Sequence, residues 1–393
     1  MRKYFVVCIV ILLFSFNLYT PLSVWTPILF NVFVLICCFL QEGKLKLLTC
    51  FQKNILLLAL LLFIFSIFTS IANSYFSAYV YGRLFRIIIN TVLLALVVRN
   101  IRVNMTICTT ALSITLFLHV LSIYLQFIFP DLKPLFYSLL VTEKEFVAFD
   151  LRSFGLFSSY DSSGLCLCFT LTLFYCLFLY KSKVIYIVCF IITFLAAFLI
   201  SRYTMVVACL LFLCMMYIIF VKRRMLFYTV LTPLLILFVS ISYLLFCEYF
   251  VYGDIRVEES YGNSTDILLN DMIVIPTEIM SFVIGTGESI ANSDIGYIKL
   301  IFMHGILGLS LVLIIHLYVL RYLKNKLDVN KLCDVISFKY IYIVLGLLLL
   351  FNCKLLLLYS RGFNDFFFLL AFLLEYNFSI NDIYYEKNKI SYL

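Results

Sequence analysis

Long apolar runs separated by short polar segments dominate this chain. A helix that crosses about 30 Å of hydrocarbon needs roughly 20 residues, and most of the apolar runs approach that length. They are apolar all round, whereas the strands of a membrane β-barrel alternate in segments of about ten residues. The pattern predicts an all-α, polytopic membrane helix bundle with about twelve transmembrane helices: 4–19, 22–40, 54–72, 83–98, 105–129, 162–180, 184–200, 204–220, 226–246, 296–320, 340–358 and 366–380.

Two connections between these predicted spans are far longer than the others, residues 130–161 and residues 247–295. Both contain aliphatic and aromatic residues, such as Phe136 and Ile273, so neither resembles a flexible linker. Loops held by a rigid scaffold carry a large share of functional residues. We therefore treat residues 1–393 as one integral membrane domain whose two long loops contribute to its site.

Composition excludes a water-soluble protein. The chain is 65% hydrophobic and 13% charged, whereas soluble domains contain about 25% charged residues. The 14 cysteines lie mostly inside apolar runs and form no C-x-x-C pair. We interpret them as small apolar side chains in the bilayer.

The distribution of charge predicts the orientation of the helices. Cytoplasmic segments of membrane proteins are enriched in lysine and arginine. With both termini cytoplasmic, the inner connections hold most of the 29 basic residues, and the outer ones hold most of the 21 acidic residues. Arg2 and Lys3 precede an apolar run without a small-residue cleavage site, which predicts a retained first span. The basic residues form no continuous patch, so we expect no nucleic-acid partner.

Ten basic residues do not follow this orientation. Six of them are arginines, whose planar guanidinium matches phosphate oxygens. As a set they predict a site for a lipid-linked phosphate or pyrophosphate on the outer face. The alternative is pairing with outer acids such as Asp150 and Asp365. The ten residues are Arg83, Arg86, Lys133, Lys144, Arg152, Arg202, Arg256, Lys299, Lys354 and Arg361.

Some of these ten residues stand in informative positions. Arg83 and Arg86 are three residues apart, which places both on one face of a helix. Arg202 and Arg361 fall in short turns between spans. Lys354 lies inside the eleventh apolar run, and a charged residue within a span usually faces a cavity or a partner. Lys354 therefore predicts a polar cavity that opens outward.

A carboxylate precedes the tenth span, in the sequence Ser293-Asp294-Ile295-Gly296-Tyr297. Ser293 or Asp294 could serve as the helix N-cap, or Asp294 could act as a general base at the membrane surface. Rival bases in the same loop are Asp271, Glu278 and Glu288. The nearby G-T-G sequence at 285–287 is too short for a phosphate-binding loop, and we expect a flexible turn.

Several familiar chemistries find no support in the sequence. The three histidines, His119, His304 and His316, share no i, i+4 spacing, so we expect no metal site. The chain also has no Walker motif, which excludes a primary ATP-driven pump.

Four short segments together resemble one family, the Wzy-type O-antigen polymerases, which are related in organisation to O-antigen ligases. The resemblance covers roughly residues 80–370 and includes the long outer loops and low charge. The segments are residues 152–157 (an R-x-x-G-x-F motif), 199–204 (an S-R-x-x turn), 284–297 (G-x-G followed by D-x-G-Y) and 305–308 (G-x-x-G).

One departure from this superfamily separates polymerase from ligase. Ligases carry a His-Asn pair about eleven residues before the first glycine of G-x-x-G. In this chain that position is Asp294, and the outer loops contain no histidine. The resemblance therefore implies a polymerase, a metal-independent membrane glycosyltransferase with a GT-C-like fold and no cofactor.

The resemblance also implies a reaction and a location. A glycan on undecaprenyl pyrophosphate would be transferred to a repeat unit on a second such lipid, at the periplasmic face of the bacterial inner membrane. A chain-length regulator would be a further partner. The implied catalytic residues are Asp294, Arg202 and Arg152. The implied substrate-binding residues are Arg83, Arg86, Arg361, Lys354, Tyr297 and Gly287.

Three other functions stay open at this point. A ligase would transfer finished glycan to the lipid A core. A flippase for lipid-linked oligosaccharide would also have about twelve spans, but its charges would follow a central path to both faces. A chain-length or scaffold subunit would have few spans and a large soluble domain, which this sequence lacks.

Overall fold

The computed structural model of this chain describes residues 2–15, 26–102, 105–139, 152–157, 159–221, 273–288, 293, 295–329, 331–358 and 362–390. These residues form helices and connections, with no strand among them. The helices are α1 (Arg2–Ser15), α2 (Thr26–Glu42), α3 (Cys50–Ala72), α4 (Ala78–Ile101), α5 (Met105–Ile128), α6 (Lys133–Leu139), α7 (Tyr160–Lys181), α8 (Val184–Ala196), α9 (Arg202–Val221), α10 (Ile279–Ile284), α11 (Gly296–Lys326), α12 (Leu332–Phe351) and α13 (Phe363–Ile390).

The predicted all-α class is confirmed, and eleven of the twelve predicted spans overlap helices. Within the described part of the chain, six helices are long and apolar enough to cross a membrane: α3, α4 from Val80, α5, α7, α11 and α12. They give the chain its transmembrane character. The predicted span 226–246, residues 140–151 of the first long loop and most of the second long loop lie outside the described residues, so the count of twelve stays a prediction.

The eleventh span was predicted too far along the chain. Helix α12 begins at Leu332 and ends at Phe351, although the apolar run continues to residue 358. Asn352 ends the helix because its Oδ1 accepts hydrogen bonds from the backbone N–H groups of Leu357 (2.9 Å) and Leu358 (3.2 Å). Such side-chain bonds offer the backbone an alternative to the helix, so residues 352–358 fold as a turn.

Many basic residues meet at one end of the bundle, which we call the lysine-rich end. Arg102 pairs with Glu42 at 2.6 Å, which joins the ends of α4 and α2. The backbone N–H of Lys46 donates to Asn100 Oδ1 at 2.9 Å. Burial, together with the neighbouring Arg102 and Arg99, lowers the pKa of Lys46. We call the opposite end, where α7, α9 and α11 begin and α12 stops, the site end.

Helix α7 lies at the centre of the bundle. In the apolar 18-residue stretch of α7, 83% of the residues are buried. The helix packs against α5, α8, α9 and α12. Its buried hydroxyls bond within the helix, as Thr170 does to the carbonyl of Cys166 at 2.8 Å. A helix that is apolar all round belongs in an interior. The start of α7 is therefore a rigid platform for the residues at the site end.

Candidate functional site

Three side chains at the site end form the Lys354 cluster, which consists of Lys354, Asp161 and Tyr203. Lys354 Nζ donates to Asp161 Oδ1 at 2.7 Å and lies 5.6 Å from the centre of the Tyr203 ring. The side chain of Lys354 is 47% exposed, whereas that of Asp161 is 18% exposed. Lys354 was expected inside a span, but it lies in the turn after α12, where its charge reaches the surface.

Arg152 lies beside this cluster. Its guanidinium carbon is 5.9 Å from the centre of the Tyr160 ring, which allows a cation–π contact. Tyr160 begins α7 and directly precedes Asp161. The next residue, Ser153, bonds to the segment that follows α8: its backbone N–H donates to the carbonyl of Leu199 at 2.8 Å. The R-x-x-G-x-F and S-R-x-x segments are thus in contact.

The backbone of residues 154–156 is held by two buried side chains of α5. Gln126 Oε1 accepts from the N–H groups of Phe154 (3.1 Å) and Gly155 (3.0 Å). Gln126 Nε2 donates to the carbonyl of Gly155 at 2.7 Å. This buried irregular backbone therefore has its polar groups satisfied, as buried backbone requires.

His119 completes this support. Its Nδ1 accepts from the N–H of Leu156 at 3.2 Å, so its proton is on Nε2, which faces the carbonyl of Ser163 at 3.1 Å. Gly155 has φ +62°, and a Cβ there would lie 2.5 Å from the His119 ring. Glycine is required at this position. His119 and Gln126 are seven residues apart on one face of α5, and we call them the α5 clamp.

Arg202 is the first residue of α9; its side chain lies outside the described set. The start of α9 is well fixed, because Ser201 Oγ accepts from the N–H of Thr204 at 3.3 Å. Gly164 of α7 faces Thr204, and a Cβ on Gly164 would overlap that hydroxyl. The start of α9 thus packs closely on α7, and the chain position of Arg202 is adjacent to Tyr203 of the Lys354 cluster.

The start of α11 packs against the same turn that carries Lys354. A Cβ at Gly296 would lie 2.6 Å from Asn352 Oδ1, and Tyr297 donates its hydroxyl to the carbonyl of Leu349 at 2.8 Å. Asp294 lies outside the described residues. The N-cap position of α11 belongs to Ile295, so the interpretation of Ser293 or Asp294 as the cap is wrong.

The turn at 285–287 is tightly bonded, which makes the expectation of a flexible turn wrong. Helix α11 is broken at Gly305, which has φ +65°. The backbone carbonyl of Phe302, next to this break, accepts hydrogen bonds from Thr286 N (2.7 Å), Gly287 N (3.2 Å) and Thr286 Oγ1 (3.1 Å). A Cβ at Gly285 would lie 2.5 Å from the nitrogen of Gly305. The turn fills the break in α11, so Gly287 has a structural contact there.

Of the other predicted site residues, two lie on α4 and one lies outside the described residues. Arg83 and Arg86 are half-buried on α4. Arg361 is outside the described residues, but the following Gly362 donates its N–H to Asp365 Oδ2 at 3.2 Å. In the described part of the chain, no three His, Cys, Asp or Glu side chains group together as metal ligands would.

The structure adds residues that the sequence analysis missed. Asp161, Tyr160, Tyr203 and Gln126 carry no local signal, since each is one polar or aromatic position beside an apolar run. Their importance follows only from contacts across helices.

A scan against protein-family models and a search of curated proteins found no match to this chain.

Chemically, the arrangement combines cations with aromatic faces at a water-accessible surface. Lys354 is a compact cation that can move between Asp161 and an anionic ligand. Arg152 offers several donors in a plane, a geometry that suits phosphate oxygens. Tyrosine rings beside both cations offer apolar faces with a polar edge. Such a site can bind a phosphate ester that carries a sugar.

Proposed function

We propose that this chain is a Wzy-type O-antigen polymerase of the bacterial inner membrane. One observation supports this most: segments that resemble the family, at 152–157, 199–204 and 296–297, lie against one another or against the Lys354 turn. The contacts are Ser153 to Leu199 at 2.8 Å and Gly296 against Asn352. The antiparallel helices α7 and α8 bring the first two segments to the same end of the bundle, and the start of α11 joins them there.

The proposed reaction needs no cofactor, because the pyrophosphate bond already activates the sugar. A hydroxyl oxygen of the acceptor repeat unit bonds to the anomeric carbon of the donor glycan. The bond from that carbon to the pyrophosphate oxygen breaks, and its electron pair leaves with undecaprenyl pyrophosphate. Asp294 accepts the hydroxyl proton, a contribution of about 10²–10⁴-fold for general base catalysis.

Positive charge near the leaving group would supply the second contribution. Arg152, Arg202 and Lys354 are proposed to neutralise the negative charge that develops on the pyrophosphate. In the ion pair of Lys354 with Asp161, the lysine is 47% exposed and the aspartate is 18% exposed. The ammonium group has three N–H donors, so a pyrophosphate on its exposed side can bind Lys354 while Asp161 keeps its hydrogen bond.

The proposal includes an orientation and partners. Both termini would be cytoplasmic, and the site end would face the periplasm. The substrates would be two undecaprenyl-pyrophosphate-linked glycans in the outer leaflet of the membrane. A chain-length regulator would set the length of the product.

The decisive experiment is the lipopolysaccharide ladder of a host strain in which this gene is deleted. A core capped by one repeat unit, with the ladder lost, supports a polymerase. A bare core with polymer on undecaprenyl pyrophosphate identifies a ligase, and a bare core with single units trapped on the cytoplasmic side identifies a flippase. An unchanged ladder contradicts every glycan function.

Complementation of the deletion strain with variants of this gene then tests the site. Arg152→Ala should leave the ladder absent while the protein remains inserted at normal abundance. Lys44→Ala, an exposed lysine of the lysine-rich end, is the matched control and should restore the full ladder. If Arg152→Ala restores the ladder equally well, Arg152 has no part in the reaction.

A further inference from the structure

A short part of the second long loop, the 273–287 segment, presents large apolar side chains outward. Ile279 is 81% exposed and Met280 is 66% exposed, and both belong to helix α10. An exposed apolar patch of this kind marks a surface that another molecule covers. The exposed apolar residues of the segment are Ile273, Val274, Ile275, Ile279 and Met280.

The end of α10 is bonded to a membrane-spanning helix. Thr69 Oγ1 of α3 donates to the carbonyl of Ile284 at 2.9 Å. Asn73 Nδ2, directly after α3, donates to the carbonyl of Gly285 at 2.9 Å. The polar backbone at this end of the segment therefore faces protein, whereas the exposed apolar side chains of α10 do not.

These contacts place the segment alongside the membrane spans. Phe302, whose carbonyl accepts from the turn at 285–287, lies six residues after Gly296 at the start of α11. At 1.5 Å per residue, Phe302 is about 9 Å inside that end of the helix. Thr69 lies three residues before Ala72 at the end of α3, which is about 4.5 Å inside it. The turn is therefore level with the apolar surface of both helices.

The backbone of the turn meets the condition that a hydrocarbon environment sets. Irregular backbone at membrane depth is tolerated only where protein groups satisfy its hydrogen bonds. The N–H groups of residues 285–287 donate to the carbonyls of Ser281 and Phe302, and the carbonyls of residues 284–285 accept from α3. A loop in water does not need this arrangement, because water can bond its backbone.

The exposed side chains of the segment are level with a surface that already faces lipid. Only 22% of the residues are buried in the apolar 18-residue stretch of the membrane span α3, so most of its side chains contact lipid. Near the bonds to α10, these lipid-facing residues include Ile64, Phe68 and Ile71, each more than half exposed. Because Phe68 directly precedes Thr69, this surface and the 273–287 segment lie at the same depth. Acyl chains, rather than water, are the favourable neighbours for an apolar surface there.

One charged residue of the segment indicates how deep it lies. Glu278 directly precedes α10 and is exposed, and its Oε2 accepts from Ser281 Oγ at 3.3 Å. Amphipathic segments at a membrane surface bury their apolar face about 5–10 Å into the boundary between headgroups and acyl chains, with polar residues toward water. A carboxylate at the level of the headgroups, followed by apolar side chains below it, matches this arrangement.

We propose that the 273–287 segment is inserted in the membrane, with Ile279 and Met280 in contact with phospholipid acyl chains in the leaflet at the site end. Part of the second long loop, which hydropathy predicts to lie outside the membrane, is then inside it. The inference goes beyond the proposed function, because a ligase or a flippase with this fold would insert the same segment.

Tryptophan quenching in reconstituted vesicles tests the insertion. Trp25→Phe removes the single tryptophan of the full chain, and Ile279→Trp then adds one on α10. Bromine quenches tryptophan on contact, so fluorescence should be several-fold lower in phosphatidylcholine with dibrominated acyl chains than in unbrominated phosphatidylcholine. Phe68→Trp on α3 is the lipid-facing control and should be quenched equally. Lys44→Trp, exposed at the lysine-rich end, should be quenched little.

Acrylamide, which quenches tryptophan from the water phase, is the reciprocal probe. It should quench Lys44→Trp strongly and Ile279→Trp weakly. Strong quenching of Ile279→Trp by acrylamide overturns the proposal, because the segment would then lie in water. Quenching by neither probe also overturns it, because protein, such as a second copy of the chain, would then cover the segment. Met280→Trp replaces Ile279→Trp if that variant does not fold.

The outcomes for this proposal and for the polymerase function can be told apart. Quenching of Ile279→Trp by brominated lipid, together with an unchanged ladder in the deletion strain, keeps the insertion and removes the polymerase function. A lost ladder with a core capped by one repeat unit, together with quenching by acrylamide alone, keeps the function and removes the insertion.

Discussion

The lysine-rich end and the site end of the bundle use their polar residues differently. At the lysine-rich end, charges pair at the surface, as in Arg102–Glu42 with side chains 46% and 33% exposed. At the site end, buried amide and imidazole groups hold irregular backbone, as Gln126 holds Phe154 and Gly155. Surface charge needs only to lie on the correct side of the membrane, whereas a buried network fixes the geometry of particular groups.

Removing the α5 clamp should have the largest effect on the protein. Gln126→Leu leaves two backbone N–H groups and one carbonyl of residues 154 and 155 buried without partners. Each unsatisfied buried group costs about 1–3 kcal/mol, so for three groups we expect a loss of roughly 3–9 kcal/mol and no ladder. Thermal unfolding of the purified protein measures the stability.

Gln126→Glu is the control for this change. Because the position is fully buried, the new carboxyl group stays protonated: one oxygen keeps the acceptor contacts to Phe154 and Gly155, and its O–H can donate to the Gly155 carbonyl. We expect a smaller loss of stability than in the leucine variant. Equal stability of wild type and Gln126→Leu would show that the clamp contributes nothing.

The break in α11 gives the next largest effect. Gly305→Ala places a Cβ at φ +65° and against the backbone of Val283 and Gly285. Strain of this kind costs about 1–3 kcal/mol. Gly346→Ala is the matched control, because nothing lies within 4 Å of a Cβ built at Gly346 of α12. A melting temperature lowered in Gly305→Ala alone is expected, and an equal change in both variants would contradict the close contact.

Hydropathy predicted the helices well, because each span must bury or expose a nearly uniform apolar surface. It misplaced the end of α12, because the amide of Asn352 closes a turn that the apolar run does not reveal. The bonded turn at 285–287 was missed for the same reason. Its partner Phe302 becomes available only when α11 breaks at Gly305.

The candidate site was predictable in part. Arg152 and Lys354 stood out in the sequence as cations that do not follow the predicted orientation, and the structure places both beside the start of α7. Gln126 could not be predicted, since a glutamine near the end of an apolar run has no local signature. A side chain that supports distant backbone is recognisable only once both parts are in place.

Lys354→Ala should separate activity from stability. Lys354 is 47% exposed and its partner Asp161 is 18% exposed, so its loss should lower the free energy of unfolding by about 1 kcal/mol, the upper end for ion pairs in contact with water. If Lys354 binds the pyrophosphate, the ladder should weaken strongly. Asp161→Ala is the comparison, because it releases Lys354 without removing the cation and should preserve most of the ladder. Equal loss in both variants would mean that the pair, rather than the cation, matters.

Arg102→Ala at the lysine-rich end should have the smallest effect, although its ion pair of 2.6 Å is as short as that of Lys354. Both partners are well exposed to water, where Coulomb attraction is weak and salt screens it. We expect a change in stability within about 0.5 kcal/mol and an unchanged ladder. Distance alone does not measure the importance of a charge contact. If Arg102→Ala instead weakened the ladder as strongly as Lys354→Ala is expected to, the functional difference between the two ends would be lost. A cation at either end would then be needed for the reaction.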